Sequence, residues 1–424
     1  MISVPRLRRL ALALAAAVVL AACASVDTSS DPNARYVRAG PFPAPAELRA
    51  PVEFWKKVYS TWSLGQYALH DDRYLDLVYE VVDLPGGARE GLGDGDRQLL
   101  RERKAALEAR LRELERKTVA GEALDDGEKK LRARIVASSA GAAGITGSAE
   151  RLRAQRGIRE RFKRGVEISG RYDSRFRGIF REAGVPEDLA YLPHVESSFQ
   201  ANARSSVGAA GIWQFMPSTA RNYMVLHPAT DERLDPVTAA RGASRYLADA
   251  YQRLGDWALA ITSYNHGVGG MARARSQYGS DFGRIVREYD GPSFGFASRN
   301  FYAQFLAARE IAGEPLVYFK EGLVMLKPLE GEQLQLDRPT SASHLASYYG
   351  ISLDRLETLN PAWSSAAAGG RAMLPGGARI WVPNGTLAML TASGRPTTPP
   401  ELIAMADTPP RVVTPRKRTS TRVR

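Results

Sequence analysis

Asp188-Leu189-Ala190-Tyr191-Leu192-Pro193-His194-Val195-Glu196-Ser197 sets a carboxylate into an apolar stretch. Leu189, Leu192 and Glu196 stand at i, i+3 and i+7, so on a helix they share one face. A carboxyl group on that face is partly desolvated. Desolvation disfavours the charged form and raises the pKa, as a general acid working near neutral pH requires. The plain alternative is a surface or capping glutamate at a helix end, and these ten residues alone leave both readings open. Outward from here, from about Ala149 to Gly313, helix follows helix with no convincing alternating strand. Proline and glycine mark the breaks, at Gly184-Val185-Pro186, Asp235-Pro236, Gly255-Asp256 and Gly267 to Gly270. The pattern predicts a compact all-α domain.

Two further segments of that domain carry chemistry. Gly208-Ala209-Ala210-Gly211-Ile212-Trp213-Gln214-Phe215-Met216-Pro217-Ser218 joins a small-residue loop, which lets backbone approach a ligand, to Pro217 at a helix start. It is a poor phosphate loop, because no lysine follows the glycines; otherwise it is a turn before a helix. Ile261-Thr262-Ser263-Tyr264-Asn265-His266-Gly267 sets a Tyr-Asn pair before glycines, at a cleft edge or as a helix end. The five histidines (His70, His194, His227, His266, His344) show no metal-ligand spacing, and His194 points away from the Glu196 face. No metal or cofactor is expected.

In this order, Glu196-Ser197, Gly211-Ile212-Trp213-Gln214-Phe215-Met216-Pro217 and Ser263-Tyr264-Asn265-His266-Gly267 resemble the catalytic domain of family 1 lytic transglycosylases, the soluble-type domain related to goose-type lysozyme. Ser263 stands where the family has alanine. Arg299-Asn300-Phe301-Tyr302 looks like the last motif, without the Pro-Glu-Thr that usually precedes it. The resemblance covers about Gly170 to Gly313. It implies a lysozyme-like fold and a single acid and base, Glu196, cleaving peptidoglycan between N-acetylmuramic acid and N-acetylglucosamine to leave 1,6-anhydromuramyl ends. It also implies that Ser197, Gln214, Met216, Tyr264, Asn265 and Tyr302 contact substrate, with Tyr302 hydrogen-bonding near the glutamate. Two alternatives stay open: a muramidase that hydrolyses the same bond, and a non-catalytic wall-binding scaffold.

After Pro315 the pattern changes. Leu334-Gln335-Leu336 and Arg379-Ile380-Trp381-Val382 read as short strands flanking helices near Ala342–Tyr349 and Leu353–Leu359. This β-α-α-β unit, about 323–385, resembles a LysM peptidoglycan-binding domain, but Pro339-Thr340-Ser341-Ala342 replaces the family's Gly-Asp-Thr-Leu. That puts the fold ahead of the binding. Residues 386–424, rich in Thr, Pro and Arg, read as a disordered basic tail.

The N-terminal side has three parts. Arg6, Arg8 and Arg9 followed by the apolar run Leu10 to Ala22 predict a signal peptide, too short to span a bilayer as a helix. It ends in Leu20-Ala21-Ala22-Cys23. Cys23 is the chain's one cysteine and resembles a lipoprotein acylation site, with Ala24 pointing to the outer membrane, periplasmic face; the bland reading is a general secretory signal. Residues 23–50 read as a tether. Residues 51–148 read as a helical region: an aromatic helix at Val52 to Trp62, read as core, then a charged hairpin at Asp96–Lys117 and Asp126–Ala137. The hairpin has a thin seam of Leu100, Leu107, Leu111 and Leu114. The net charge of +12 lies mostly in the signal and in Arg411, Arg416, Lys417, Arg418, Arg422 and Arg424. The body is nearly balanced, and nucleic acid is not an expected partner.

Overall fold

The computed structural model describes residues 40–400; the signal, Cys23, most of the tether and the basic residues beyond 400 lie outside them. The chain divides into two units, 1–44 and 45–424. Of the first, only irregular chain at 40–44 is described. The second is mainly α, as the sequence pattern predicts.

Helix α1 (Arg49–Ser60) buries Val52, Trp55, Val58 and Tyr59, a single stripe at helical spacing. It begins inside the stretch read as a tether, after a short turn at Ala46–Leu48. Strands β1 (Gln66–Asp71) and β2 (Val78–Asp83) follow, then helices α2 (Asp94–Ala120) and α3 (Asp126–Ala137), then β3 (Leu152–Arg156). The three strands form one antiparallel sheet in the order β2-β1-β3, with Ala68 opposite Val81 and Gln155.

Strands β1 and β2 correct the all-helical reading of 51–148, and β3, with a two-residue ladder pairing Leu226–His227 to Thr230–Asp231, corrects the strand-free reading from about Ala149 to Gly313. The central strand ends in Ala68-Leu69-His70-Asp71, all fully buried, so no apolar–polar alternation marks it. Two of its polar groups find partners, while the buried His70 Nε2 has none. His70 Nδ1 lies 2.7 Å from the Asp71 carbonyl, and Asp71 takes Arg151 Nε at 2.8 Å. The hairpin forms as expected. A capping box of Asp125 and Glu128 starts α3. Its seam is not bare: Leu107, Leu111 and Leu114 pack with Leu131 and Ile135 against Leu69, Leu77, Tyr79 and Val82 of the sheet region.

Next come α4 (Arg159–Ser169), α5 (Asp173–Glu182) and the short α6 (Leu192–Glu196), then α7 (Pro236–Leu254), α8 (Trp257–His266), α9 (Val268–Tyr278), α10 (Phe282–Glu288) and α11 (Phe296–Gly313). Helix α8 is the hub, buried on all sides from Trp257 to Ser263 and packed on α7, α9 and α11. Helix α1 lies along α11.

The C-terminal unit has the expected order: β4 (Glu332–Gln335), α12 (Ala342–Tyr349), α13 (Leu353–Leu359) and β5 (Arg379–Val382), with an added turn of helix at Ser365–Ala368. The strands pair antiparallel, Glu332 to Val382 and Gln335 to Arg379. Residues 386–400, read as part of a disordered tail, are ordered. Helix α14 (Thr386–Ala392) buries Leu390 in this unit's core, and Tyr348 and Tyr349 donate to the carbonyls of Pro396 and Thr397. Leu387 and Leu390 supply the apolar contacts that a Thr/Pro/Arg average conceals. Among the described residues no helix is long and apolar enough to cross a membrane.

Candidate active site

Glu196 is the last residue of α6, which starts with Pro193 in its first turn, where a missing N–H costs nothing. The chain then turns sharply: Ser198 and Phe199 have φ of 49° and 60°, in the left-handed region that non-glycine residues rarely adopt. This turn leaves Glu196 half-buried at the end of its helix. No described residue gives it a hydrogen bond or ion pair. Burial alone pushes its carboxyl up to about 8. His194, two residues earlier, is packed between Phe162 and Phe199 with ring centroids at 5.1 and 4.5 Å. Burial holds it neutral, down to about 3.

The loop 208–216 is tied to Glu196 from both flanks. Ser197 Oγ donates to the Ile212 carbonyl at 2.8 Å. Tyr264 Oη, from the last turn of α8, donates to the Trp213 carbonyl at 2.8 Å. Gln214 is itself left-handed, with φ 47°, and its amide braces the loop from inside, donating to the carbonyls of Gly211 at 2.8 Å and Ala203 at 3.2 Å. Met216 is exposed at the rim. Asn265 is exposed too, and its Oδ1 accepts from Ser298 Oγ at 2.8 Å, which fixes the amide's direction. Of the residues expected to contact substrate, Gln214 and Met216 belong to one loop, Ser197 and Tyr264 hold it, and Asn265 follows Tyr264 at the end of α8. Ser197 and Gln214 spend their donors on holding its shape.

Tyr302 stands apart. It is fully buried on α11 between Phe282 and Phe305, and the charges acting on its phenol are Asp256 and Arg309, not Glu196. The phenol that does feel Glu196, besides Tyr264, belongs to Tyr59 on α1. Tyr59 is 2% exposed, stacks on Phe162 at 4.6 Å and points its hydroxyl at Gln304 Oε1, 3.3 Å away. Burial and the neighbouring carboxylate both push its pKa up, so it stays a phenol. Sequence reading took Tyr59 as core. Nothing local distinguishes it from Trp55 or Val58 on the same stripe, and the carboxyl that acts on its phenol lies far along the chain.

The site so built is a carboxyl of raised pKa, unpaired among the described residues, whose charge bears on the phenols of Tyr59 and Tyr264, next to a braced loop. Among the described residues no second carboxylate acts on Glu196. Residues 180–284 match the family model described as "Transglycosylase SLT domain". The membrane-bound lytic murein transglycosylase D of Escherichia coli (strain K12) is 28% identical over 195 residues, 43% of this chain and 40% of that protein. The membrane-bound lytic murein transglycosylase F 2 of Alkalilimnicola ehrlichii is 36% identical over 122 residues, 27% of this chain and 26% of that one. The chain thus spans well under half the length of these relatives. Among solved structures, the 70 kDa soluble lytic transglycosylase from Escherichia coli aligns at 17% identity with a TM-score of 0.30, covering 50% of this chain and 44% of that one.

Proposed function

We propose that this SLT-domain chain is a peptidoglycan lytic transglycosylase with Glu196 as its one acid and base. The observation that carries the reading is the Glu196 carboxyl itself, raised to about 8 by burial with neither a cation nor a second carboxylate among the described residues acting on it. A glycosidase of the two-carboxylate kind places a partner about 5–10 Å away. Here the substrate must supply the other groups.

Protonated Glu196 donates to the glycosidic oxygen between N-acetylmuramic acid and N-acetylglucosamine as the C1–O bond breaks. The N-acetyl carbonyl of the muramyl sugar supports the electron-poor C1. The carboxylate left behind is desolvated and takes a proton readily, so it removes the hydrogen of the muramyl 6-hydroxyl. That oxygen closes onto C1, giving the 1,6-anhydro ring and returning Glu196 to its acid form. Ring closure within one sugar carries a large effective concentration, against which water competes poorly. Tyr59 and Tyr264 line the carboxyl as neutral phenols, and Met216 and Asn265 meet the glycan at the rim. Gln214 and Ser197 keep the loop in register, and Tyr302 stabilises the helix behind.

Purified protein lacking its lipid anchor, incubated with sacculi, tests this by mass spectrometry of the released muropeptides. Anhydro ends are the expected product. Free reducing ends alone would make the protein a muramidase, and wall binding without release would make it a scaffold.

The named relatives are membrane-bound, and we place this chain at the cell envelope as well. Lipidation of Cys23, facing the periplasm from the outer membrane, is the proposed anchor. Cys23→Ala should then leave the membrane fraction; retention there would point to another anchor.

A further inference from the structure

Two carboxylates that the reaction does not use join the C-terminal unit to the catalytic region. Glu232 and Asp235 are each 2% exposed. Glu232 Oε1 accepts the Arg379 backbone N–H of β5 at 2.7 Å, while Oε2 accepts that of Val225 at 2.7 Å. Asp235 Oδ1 caps α7, taking Val237 N at 2.9 Å and Thr238 N at 3.0 Å. Its Oδ2 accepts the Trp381 indole at 2.6 Å and the Gln333 amide at 3.1 Å. Beside them the backbones pair directly, Asp231 N to Ala362 O at 2.8 Å and Ser364 N to Ala229 O at 2.9 Å. Ala229, from the catalytic side, is buried in the C-terminal unit's own core.

The residue between these carboxylates faces the other way. The Arg233 guanidinium donates to the carbonyls of Gly208 at 2.8 Å and Phe215 at 3.1 Å, the two ends of the loop over Glu196. Its own carbonyl oxygen lies 1.8 Å from where a side chain at Gly211 would begin, and Gly211 has φ 79°. The turn 232–235 therefore has the C-terminal strand on one side and the 208–216 loop on the other.

We propose that the C-terminal unit is a buttress of the catalytic loop, with Glu232 and Asp235 as positioning residues that pass its rigidity through Arg233 and Gly211. In this chain the unit is then an integral part of the active site rather than an independently moving wall-binding appendage. The geometric half of this proposal stands apart from the assigned reaction. The catalytic half rests on the transglycosylase reading.

Trp381→Phe in the full mature chain tests it. The ring remains to pack under Arg175, 5.0 Å away, and one donor to Asp235 is lost. Amide hydrogen exchange should show protection across 208–216 falling about tenfold, the worth of one hydrogen bond to a charged group. Exchange in α8 should stay unchanged. On a soluble glycan fragment too short to reach the C-terminal unit, kcat should fall by a similar factor, with KM within about twofold. Unchanged protection at 208–216 overturns the proposal, whether or not β5 itself loosens. Removal of residues 323–424 should abolish cleavage of that fragment; a folded truncation with wild-type kcat also overturns it. If the truncation does not fold, Trp381→Phe decides. If the wild-type protein yields no anhydro products, the reaction assignment fails while the exchange measurement still judges the buttress.

Discussion

The Glu196 cleft and the junction at Glu232 and Asp235 both hold carboxylates whose pKa burial raises, yet they are opposites in what surrounds them. Each oxygen at the junction accepts at least one N–H, and Asp235 takes four donors in all. Such groups are anchors: protonating one would strand the donors aimed at it. Among the described residues Glu196 has no donor aimed at it, so losing or regaining a proton there would break no hydrogen bond. Low dielectric raises the stakes at both places, and hydrogen bonding decides whether a buried acid holds structure or moves protons.

The largest effect that can break this contrast is Glu196→Gln. The amide keeps the shape and removes the transferred proton. Loss of a positioned general acid costs about 10²–10⁴-fold, and here the base goes with it, so release of muropeptides should fall to the upper part of that range. The fold should not suffer. Retention of more than about a tenth of the activity in a normally melting variant would remove Glu196 from its role.

Gly211→Ala strikes the seam between the two regions. A methyl group there meets the Arg233 carbonyl in a backbone conformation that alanine resists, so the loop must shift. A destabilisation of about 3 kcal/mol or more is expected by thermal or chemical melting, together with loss of activity. Normal melting and normal rates would show that the loop and the turn are not in contact.

The pH dependence is sharper than either mutation. In the proposed mechanism the Glu196 carboxyl starts protonated, so kcat/KM should fall roughly tenfold per unit as pH rises beyond about 8. Stability follows with a defined sign. The folded pKa lies above the unfolded value, so the folded state holds more protons between about 4.5 and 8. Glu196's contribution is intact below 4.5 and is lost as pH climbs to 8. Glu196→Gln should therefore melt higher than wild type at pH 8 by roughly 1–3 kcal/mol, reduced by the opening to solvent, and equally near pH 4. A constant gap across that range would mean the carboxyl is not buried as described.

Smallest is Tyr59→Phe. The ring keeps its stack on Phe162 and loses only the hydroxyl, so kcat should drop a few-fold, within the worth of about one hydrogen bond, while Tyr302→Phe changes kcat less. The reverse order would restore Tyr302 as the phenol that serves Glu196.

What could be read from sequence divides along the same line. Glu196, the 211–217 loop and Tyr264-Asn265 are short segments whose residue types announce their chemistry, and the helices between them are long enough to show their period. Strand β3, Leu152-Arg153-Ala154-Gln155-Arg156, alternates over only four residues and is as rich in arginine as the helices on either side, and β1 is buried on both faces, so neither stands out as a strand. Tyr59, Glu232 and Asp235 owe their roles to distant partners. A glutamate two residues after Thr230 and an aspartate before Pro236 look like ordinary turn and cap residues until β5 arrives beside them.

That arrival has an order in time. The bonds from Arg379 and Trp381 to Glu232 and Asp235 span 147 and 146 residues of chain. Contacts of such separation form late, because the intervening loop must close first. A chain emerging N-terminus first therefore presents its acid and its loop well before it can present the strand that steadies them. If the buttress proposal holds, a chain cut short before residue 379 would carry the proposed acid and its loop without their support, so completion of synthesis would act as a checkpoint on the proposed activity.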